Sequence, residues 1–234
     1  MVLGPMVREG DGEMGFSRVI VDYGHGGMIE GEYQTPTGKQ YHFTEPEVFS
    51  IYEGVTNRGI ASKLMNLLLE AGVEVFDCVE DCYVTEPVVA DDLEQRDVSL
   101  TTRVRNANDE NKRGETLFIS IHSNAIGSEL KGPSLKARGA DVYVYRNSGL
   151  AGHVANNLLG LYSQTALRPR KVIENKTFYV LRKTSMPALL SENGFFVNID
   201  DAKYLLSEEG QWEIARAHFK SVENLLDVGE HAMV

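Results

Sequence analysis

The sequence holds only two cysteines, Cys78 and Cys82, too few for a disulfide framework. Their spacing of four, with no further cysteine or histidine cluster nearby, is also wrong for a structural zinc site. Both read as free or partly buried thiols. Long apolar runs are missing as well: none approaches the ~20 residues that a membrane-spanning helix needs. Basic residues are scarce and scattered, 23 lysines and arginines against 34 acidic residues, for a formal net charge of −11. A surface that tracks phosphates or anionic lipid carries a basic patch, so neither nucleic acid nor a membrane is expected as a partner. The acidity reads as a solvated surface. Internal repeats, low-complexity tracts and Ser/Pro/Gly-rich domain linkers are also absent.

What remains is an ordinary globular composition, 42% hydrophobic and 24% charged over 234 residues. That is enough for one large domain with a full core. Met1 to Phe16 is glycine-rich and polar without an apolar central region, so residues 1–16 are expected to be a flexible arm and not a secretory signal. Residues 17–228 form the domain and 229–234 a short tail.

The centre of the pattern is Leu117-Phe118-Ile119-Ser120-Ile121-His122-Ser123-Asn124-Ala125. An apolar, β-branched run ending in a polar cluster reads as a buried strand of a parallel sheet, whose carboxyl end is where open α/β folds place ligands. Ser17 to Asp22 reads as a first strand, closing on Tyr23-Gly24-His25-Gly26-Gly27. Glu53 opens a helical pattern (Ile60, Leu64, Leu67, Leu68, Ala71) that Gly72 ends, and counting back by seven from Ile60 puts Glu53 on the apolar face. A carboxylate on a buried face beside a histidine-bearing strand end calls for a cation. Met186 to Phe196 repeats the grammar, a short apolar run stopping at Glu192. Further strands are expected at Val73–Phe76, at Ala140–Tyr145 and, as a short or extended segment, at Phe178–Leu181. Further helices are expected at Leu93–Arg113, Leu150–Leu161 and Trp212–Leu226. The fold class is α/β, a single domain with a twisted, mostly parallel sheet of about six strands and helices on both faces.

His25, Glu53, His122 and Glu192 all map to one rim of that sheet. Two imidazoles and a carboxylate are a recurring ligand set for catalytic zinc, which leaves a position for water. A separate carboxylate, Glu192, is then placed to carry the proton of that water to a leaving amine. The chemistry expected is metal-assisted amide hydrolysis. Met28 to Tyr52, rich in aromatics and without regular period, is expected to be an ordered loop walling the substrate groove, through Tyr33, Tyr41 or Phe43. His42 lies in it as a weaker candidate. Arg103 reads either as a substrate or carboxylate-orienting group or as a surface-paired arginine. His153, His218 and His231 read as structural or exposed.

These residues resemble a known family, the zinc-dependent N-acetylmuramoyl-L-alanine amidases of the type-3 (AmiC/CwlV-like) class. Asp22-Tyr23-Gly24-His25-Gly26-Gly27 is similar to D-P-G-H-G-G, and Glu53 with Asn57 to the metal-binding E-x-x-x-N. Leu100, Arg103, Ala107 and Asn108 match L-x-x-R-x-x-x-A-N, and Ser120 to Ala125 matches S-I-H-x-N-A. Leu181-Arg182, Thr184, Met186-Pro187-Ala188 and Glu192-x-Gly194-Phe195-x-x-Asn198 match the closing L-R-x-T-x-M-P-A … E-x-G-F-x-x-N. The resemblance implies zinc on His25, Glu53 and His122, with Glu192 as the catalytic carboxylate and Asn124, Arg103, Tyr33 and Tyr41 as substrate-binding candidates. It implies bacterial peptidoglycan as substrate, cut between N-acetylmuramic acid and the L-alanine of the stem peptide. It places the activity at the cell wall, as a monomeric phage or prophage lysin released by lysis or as the catalytic part of a longer exported enzyme. Three features depart from the family pattern: Tyr23 in place of proline, Asn193 in place of an apolar residue, and the long Met28–Tyr52 segment. Two rival readings are a zinc carboxypeptidase or other metallopeptidase, which would cut stem peptides and leave them on the glycan, and a non-catalytic wall-binding module, which would lack one of the four rim residues.

Overall fold

A strand covered on both faces is largely apolar, and Arg18–Tyr23, apolar at its centre, is buried at every position. The computed structural model describes residues 16–111, 115–125 and 136–226. Its elements, in order, are β1 (Arg18–Tyr23), β2 (Met28–Ile29), β3 (Glu32–Tyr33), β4 (Gln40–Phe43), β5 (Phe49–Tyr52), α1 (Glu53–Glu70), β6 (Glu74–Asp77), β7 (Cys82–Val84), α2 (Leu100–Glu110) and β8 (Thr116–Asn124). They continue with β9 (Ala140–Val144), α3 (Gly149–Leu161), β10 (Pro169–Glu174), α4 (Tyr179–Lys183), β11 (Ala188–Phe195), α5 (Ile199–Leu206) and α6 (Glu208–Val222), with 3-10 turns at Tyr162–Gln164 and Glu223–Leu225.

The main sheet has seven strands in the order β10-β9-β11-β8-β1-β6-β7, against the expected six or so. β11, β8, β1 and β6 form a parallel block, while β9 and β7 join its two sides antiparallel. Because side chains alternate across a strand, one face of the block carries Tyr23, Ser123 and Ser191 and the other carries Asp22, Ser120, His122 and Glu192. The first face meets α1, through Arg58 stacked 4.9 Å over Tyr23, and α6, through His218. The second meets Arg103 of α2. Helices therefore cover both faces, as expected.

Four local expectations are corrected. Met28–Tyr52 is not a loop: it forms two antiparallel pairs, β2 with β3 and β4 with β5. The helix read from Leu93 begins only at Leu100, where the Ser99 hydroxyl caps it by accepting from the Thr102 N–H at 3.2 Å. Phe178–Leu181, strand-like in composition, leads into α4, because the Asn175 carboxamide accepts from the Thr177 and Phe178 N–H groups and starts a helical turn. Phe16 is not part of an arm but fully buried, bridged to Leu226; residues 1–15, His231 and the 229–234 tail lie outside the described residues. Cys78 is buried and Cys82 exposed, both free.

Candidate metal centre

His25 sits just past β1 in a left-handed conformation, φ +69°, which a residue with a Cβ adopts only where its surroundings hold it. Those surroundings are two buried arginines. Arg58 donates to the His25 carbonyl at 3.0 Å, and Arg103 to the same oxygen at 3.4 Å and to the Tyr23 carbonyl at 2.6 Å. Arg103 is neutralised by Asp22, 2.8 Å away, whose other oxygen accepts from the Ser120 hydroxyl at 2.5 Å. Burial alone would raise the Asp22 carboxyl; the charges of Arg103 and His122 and the Ser120 and Arg103 hydrogen bonds outweigh it and hold the group below the usual carboxylate range. The extended segment before α2 completes the frame. Its Gln95 and Glu94 carbonyls accept from the Gly27 N–H at 2.7 Å and from Arg58. Gly24 is glycine for a steric reason: a Cβ there would lie 2.0 Å from His122 Cε1.

Glu53, the first residue of α1, is fully buried and reaches over the strand ends. Its Oε1 lies 3.0 Å from His122 Nδ1 and 3.4 Å from His25 Nε2, and accepts from the Ser123 N–H at 3.2 Å. One ligand atom from each of the three residues lies within 4.8 Å of the others. Among the described residues, His25 Nε2 is out of solvent and makes no hydrogen bond, an arrangement that costs free energy unless something binds there; Glu53 Oε2 is likewise buried without a hydrogen bond, with the Lys39 ammonium as an ion-pair neighbour at 3.3 Å. Burial would raise the Glu53 carboxyl, yet the hydrogen bonds and charges of His122 and His25 hold it below its usual range. Burial shifts the His25 imidazole below its ordinary value, toward the neutral form that can donate a lone pair, against the opposing pull of Glu53. The donor set, with the buried His25 Nε2 making no hydrogen bond among the described residues, fits a divalent ion.

Glu192 stands beside this triad. It is the register partner of His122 on the adjacent parallel strand, so both side chains emerge on the same face. Its Oε2 is buried and makes no hydrogen bond among the described residues. Burial, and next the nearby Glu53 carboxylate, push its proton affinity well above the ordinary carboxylate range. Directly after it the β8–β11 register breaks, with Gly194 at φ +80°, and bulges of this kind re-aim neighbouring side chains. Asn193, the polar departure noted above, ties the break together. Its amide donates to the His122 carbonyl at 3.0 Å and to the Ser191 hydroxyl at 2.9 Å, and its carbonyl accepts from the Tyr162 hydroxyl at 2.5 Å.

The other candidates fare differently. Arg103 is 1% exposed and its donors are committed to Asp22 and to the Val98, Tyr23 and His25 carbonyls. It frames the His25 loop and has nothing left to offer a substrate. The Tyr33 hydroxyl accepts from the Gly54 N–H and donates to the Lys39 carbonyl, both at 3.0 Å, so it too is a support. Tyr41 packs edge-on against Phe43, ring centres 4.6 Å apart, within the β4–β5 pair. Asn124 is half-buried on the face of β8 that carries His122; its Oδ1 accepts from the Ala125 N–H at 2.8 Å. His42 is exposed and bound to Ser50, and His153 is exposed. Two residues that sequence reasoning passed over matter here. Arg58 follows Asn57 in the E-x-x-x-N motif but has no signal of its own, and Lys39 places its ammonium 3.3 Å from Glu53 Oε2. Asn57 itself donates to the Gly24 carbonyl at 3.0 Å and accepts from the Ser123 hydroxyl at 3.3 Å.

The family profile described as N-acetylmuramoyl-L-alanine amidase (Amidase_3) matches residues 19–224. The N-acetylmuramoyl-L-alanine amidase CwlM of Bacillus licheniformis is 29% identical over 181 residues, covering 76% of this chain and 66% of that protein. The sporulation-specific N-acetylmuramoyl-L-alanine amidase of Bacillus subtilis (strain 168) is 26% identical over 179 residues, covering 75% and 64%. The chain thus spans just under two thirds of the length of either relative. Among solved structures, the N-acetylmuramoyl-L-alanine amidase of Clostridium difficile 630 superposes with a TM-score of 0.65 at 26% identity, over 89% of this chain and 96% of that one. The catalytic domain of CwlV from Bacillus (Paenibacillus) polymyxa shares the fold, with a TM-score of 0.62 at 24% identity over 89% and 97%.

Proposed function

Because the chain belongs to the N-acetylmuramoyl-L-alanine amidase family, we propose that it is a zinc-dependent peptidoglycan hydrolase cutting the amide between N-acetylmuramic acid and the L-alanine of the stem peptide. The observation that carries this reading is the convergence of His25, Glu53 and His122 from three separate elements onto one point, where the buried His25 Nε2 makes no hydrogen bond among the described residues. These three residues would hold the ion. When bound, zinc supplies Lewis acidity toward a carbonyl oxygen and toward water.

The remaining work falls to this chain's own groups. Glu192 is a carboxylate whose proton affinity burial and the nearby Glu53 raise, which favours its taking a proton and holding it for delivery. It removes a proton from the attacking water as the new C–O bond forms. It then delivers that proton to the amide nitrogen as the C–N bond breaks, leaving a lactyl carboxylic acid and a free L-alanine amino group. Asn124, on the His122 face at the end of β8, remains the candidate for contacting the muramyl or peptide portion. Arg103, Arg58 and Asn57 keep the His25 loop in place before substrate arrives. None of the described helices is long and apolar enough to cross a membrane, and the site of action we propose is the cell wall.

Incubating the purified chain with sacculi, with and without a zinc chelator, tests this. Mass analysis should find stem peptides with free N-terminal L-alanine, and the chelator should abolish their release. Cleavage within stem peptides that stay attached to glycan would favour a metallopeptidase; cleavage that ignores the chelator would remove the metal mechanism.

A further inference from the structure

Glu53 is gripped from two sides. Its Oε1 faces the two imidazoles and the Ser123 N–H. Its Oε2, out of solvent and without a hydrogen bond, has the Lys39 ammonium 3.3 Å away. Lys39 ends the segment joining β3 to β4, within the long aromatic stretch that departs from the family pattern. The same segment builds the start of α1. The Glu53 N–H donates to the Lys39 carbonyl at 2.9 Å, and the Gly54 N–H donates to the Tyr33 hydroxyl, which itself donates to that carbonyl. These are among the first N–H groups of a helix, which have no partner within it, and Tyr52 at the cap position offers no side-chain bond. One turn therefore fixes both the beginning of the helix and the far oxygen of its first carboxylate.

Resting on the reading of His25, Glu53 and His122 as a metal-binding set, we propose that Lys39 is a positioning residue that restricts Glu53 to ligation through one oxygen. A carboxylate beside a divalent ion can bind through one oxygen or both, and which it does depends on what holds the second. With Oε1 aimed at the histidines and Oε2 held by an ammonium, bidentate binding is opposed by both geometry and charge. A coordination position then stays open for water, as a hydrolytic site requires. The positive charge also offsets that of the buried Glu53 carboxylate. The aromatic segment thereby supports a metal ligand through Lys39 and Tyr33.

The test compares the full chain with Lys39→Met and Lys39→Arg variants, each loaded with cobalt(II). It reads visible absorption, chelator competition and turnover on sacculi. Lys39 has 41% of its side chain exposed, so neither variant strains the core, and a thermal melt checks this. In Lys39→Met the cobalt absorption should weaken as coordination rises from four toward five. Metal affinity should hold or rise, because a cation leaves and a second oxygen is freed, while kcat should fall by about 10- to 100-fold, the usual effect of removing a partner that orients a ligand, with KM little changed. Lys39→Arg should restore the wild-type spectrum. Identical spectra and chelator competition in wild type and Lys39→Met would overturn this proposal alone. A wild-type chain that takes up neither cobalt nor zinc would overturn the metal-centre reading and this proposal with it.

Discussion

Replacing Arg103 with leucine is expected to destabilise the fold far more than an ordinary core substitution. Arg103 and Asp22 are 1% and 0% exposed, 2.8 Å apart. Removing the guanidinium leaves a buried carboxylate without its paired charge and, among the described residues, with the Ser120 hydroxyl as its remaining hydrogen-bond donor. It also strips charged donors from the Tyr23 and Val98 carbonyls. Breaking one partner of a buried ion pair costs roughly 3–5 kcal/mol, and the lost carbonyl bonds overlap with that figure, so about 4 kcal/mol is expected. Against a total stability of about 5–15 kcal/mol this is severe. For a domain of this length it lowers the melting temperature by roughly 8–16 °C. Urea unfolding followed by circular dichroism gives the free energy directly. Adding Asp22→Asn should recover about 2 kcal/mol, because it removes the stranded charge while a carboxamide still accepts from Ser120. The same single variant should bind metal less tightly, since His25 loses one of the two arginines on its carbonyl. A loss under about 1 kcal/mol, or strict additivity in the double variant, would refute the reasoning.

Glu192→Gln should keep its bound metal and lose about 10²–10⁴-fold in turnover, read by metal analysis alongside product release; a metal-free variant would make Glu192 a ligand instead. Gly24→Ala forces a methyl group to within 2.0 Å of His122 Cε1 and should weaken metal binding while leaving the circular dichroism spectrum intact. His218 is fully buried, donating to the Ile214 carbonyl and accepting from the Ser191 hydroxyl, and burial depresses its pKa to about 4. The folded protein resists its protonation, so stability is full above about pH 6.5 and falls as pH drops through about 4, by up to roughly 3 kcal/mol. Urea unfolding across that range should show the slope in wild type and a shallower one in His218→Gln. A thiol reagent should label one cysteine in the native protein, the exposed Cys82, slowly because burial and nearby acids raise its pKa to about 11, and Cys78 only after unfolding.

The parts of the fold that the sequence made legible are those where pattern and burial coincide. β1, β8 and β11 are apolar because helices cover both their faces, and α1 shows its stripe because one side meets the sheet. The four rim residues stood out because each ends or begins such an element. What escaped reading is held by side-chain to backbone bonds that have no period. The 93–99 segment looks helical by its apolar spacing, yet its Glu94, Gln95 and Val98 carbonyls are turned toward Arg58, Gly27 and Arg103. β10 is an exposed edge rich in charge and opened by proline, as protected edges are, and so carries no strand signature. α5 follows β11 through an Asn198 cap that accepts from Asp200 and Asp201, a signal too short to separate it from α6. Arg103 shows the limit for site reading. Its place in a motif marked it as important, but only its burial shows that it serves the loop and not the substrate.

Three side chains, His25, Glu53 and His122, are expected to share one ion, and X-ray absorption at the zinc K-edge of the zinc-loaded chain tests this most directly. Two imidazole nitrogens and one carboxylate oxygen at about 2.0–2.2 Å, with one further light atom, is the predicted shell. Sulfur at about 2.3 Å, or a chain that retains no zinc after dialysis, would contradict it.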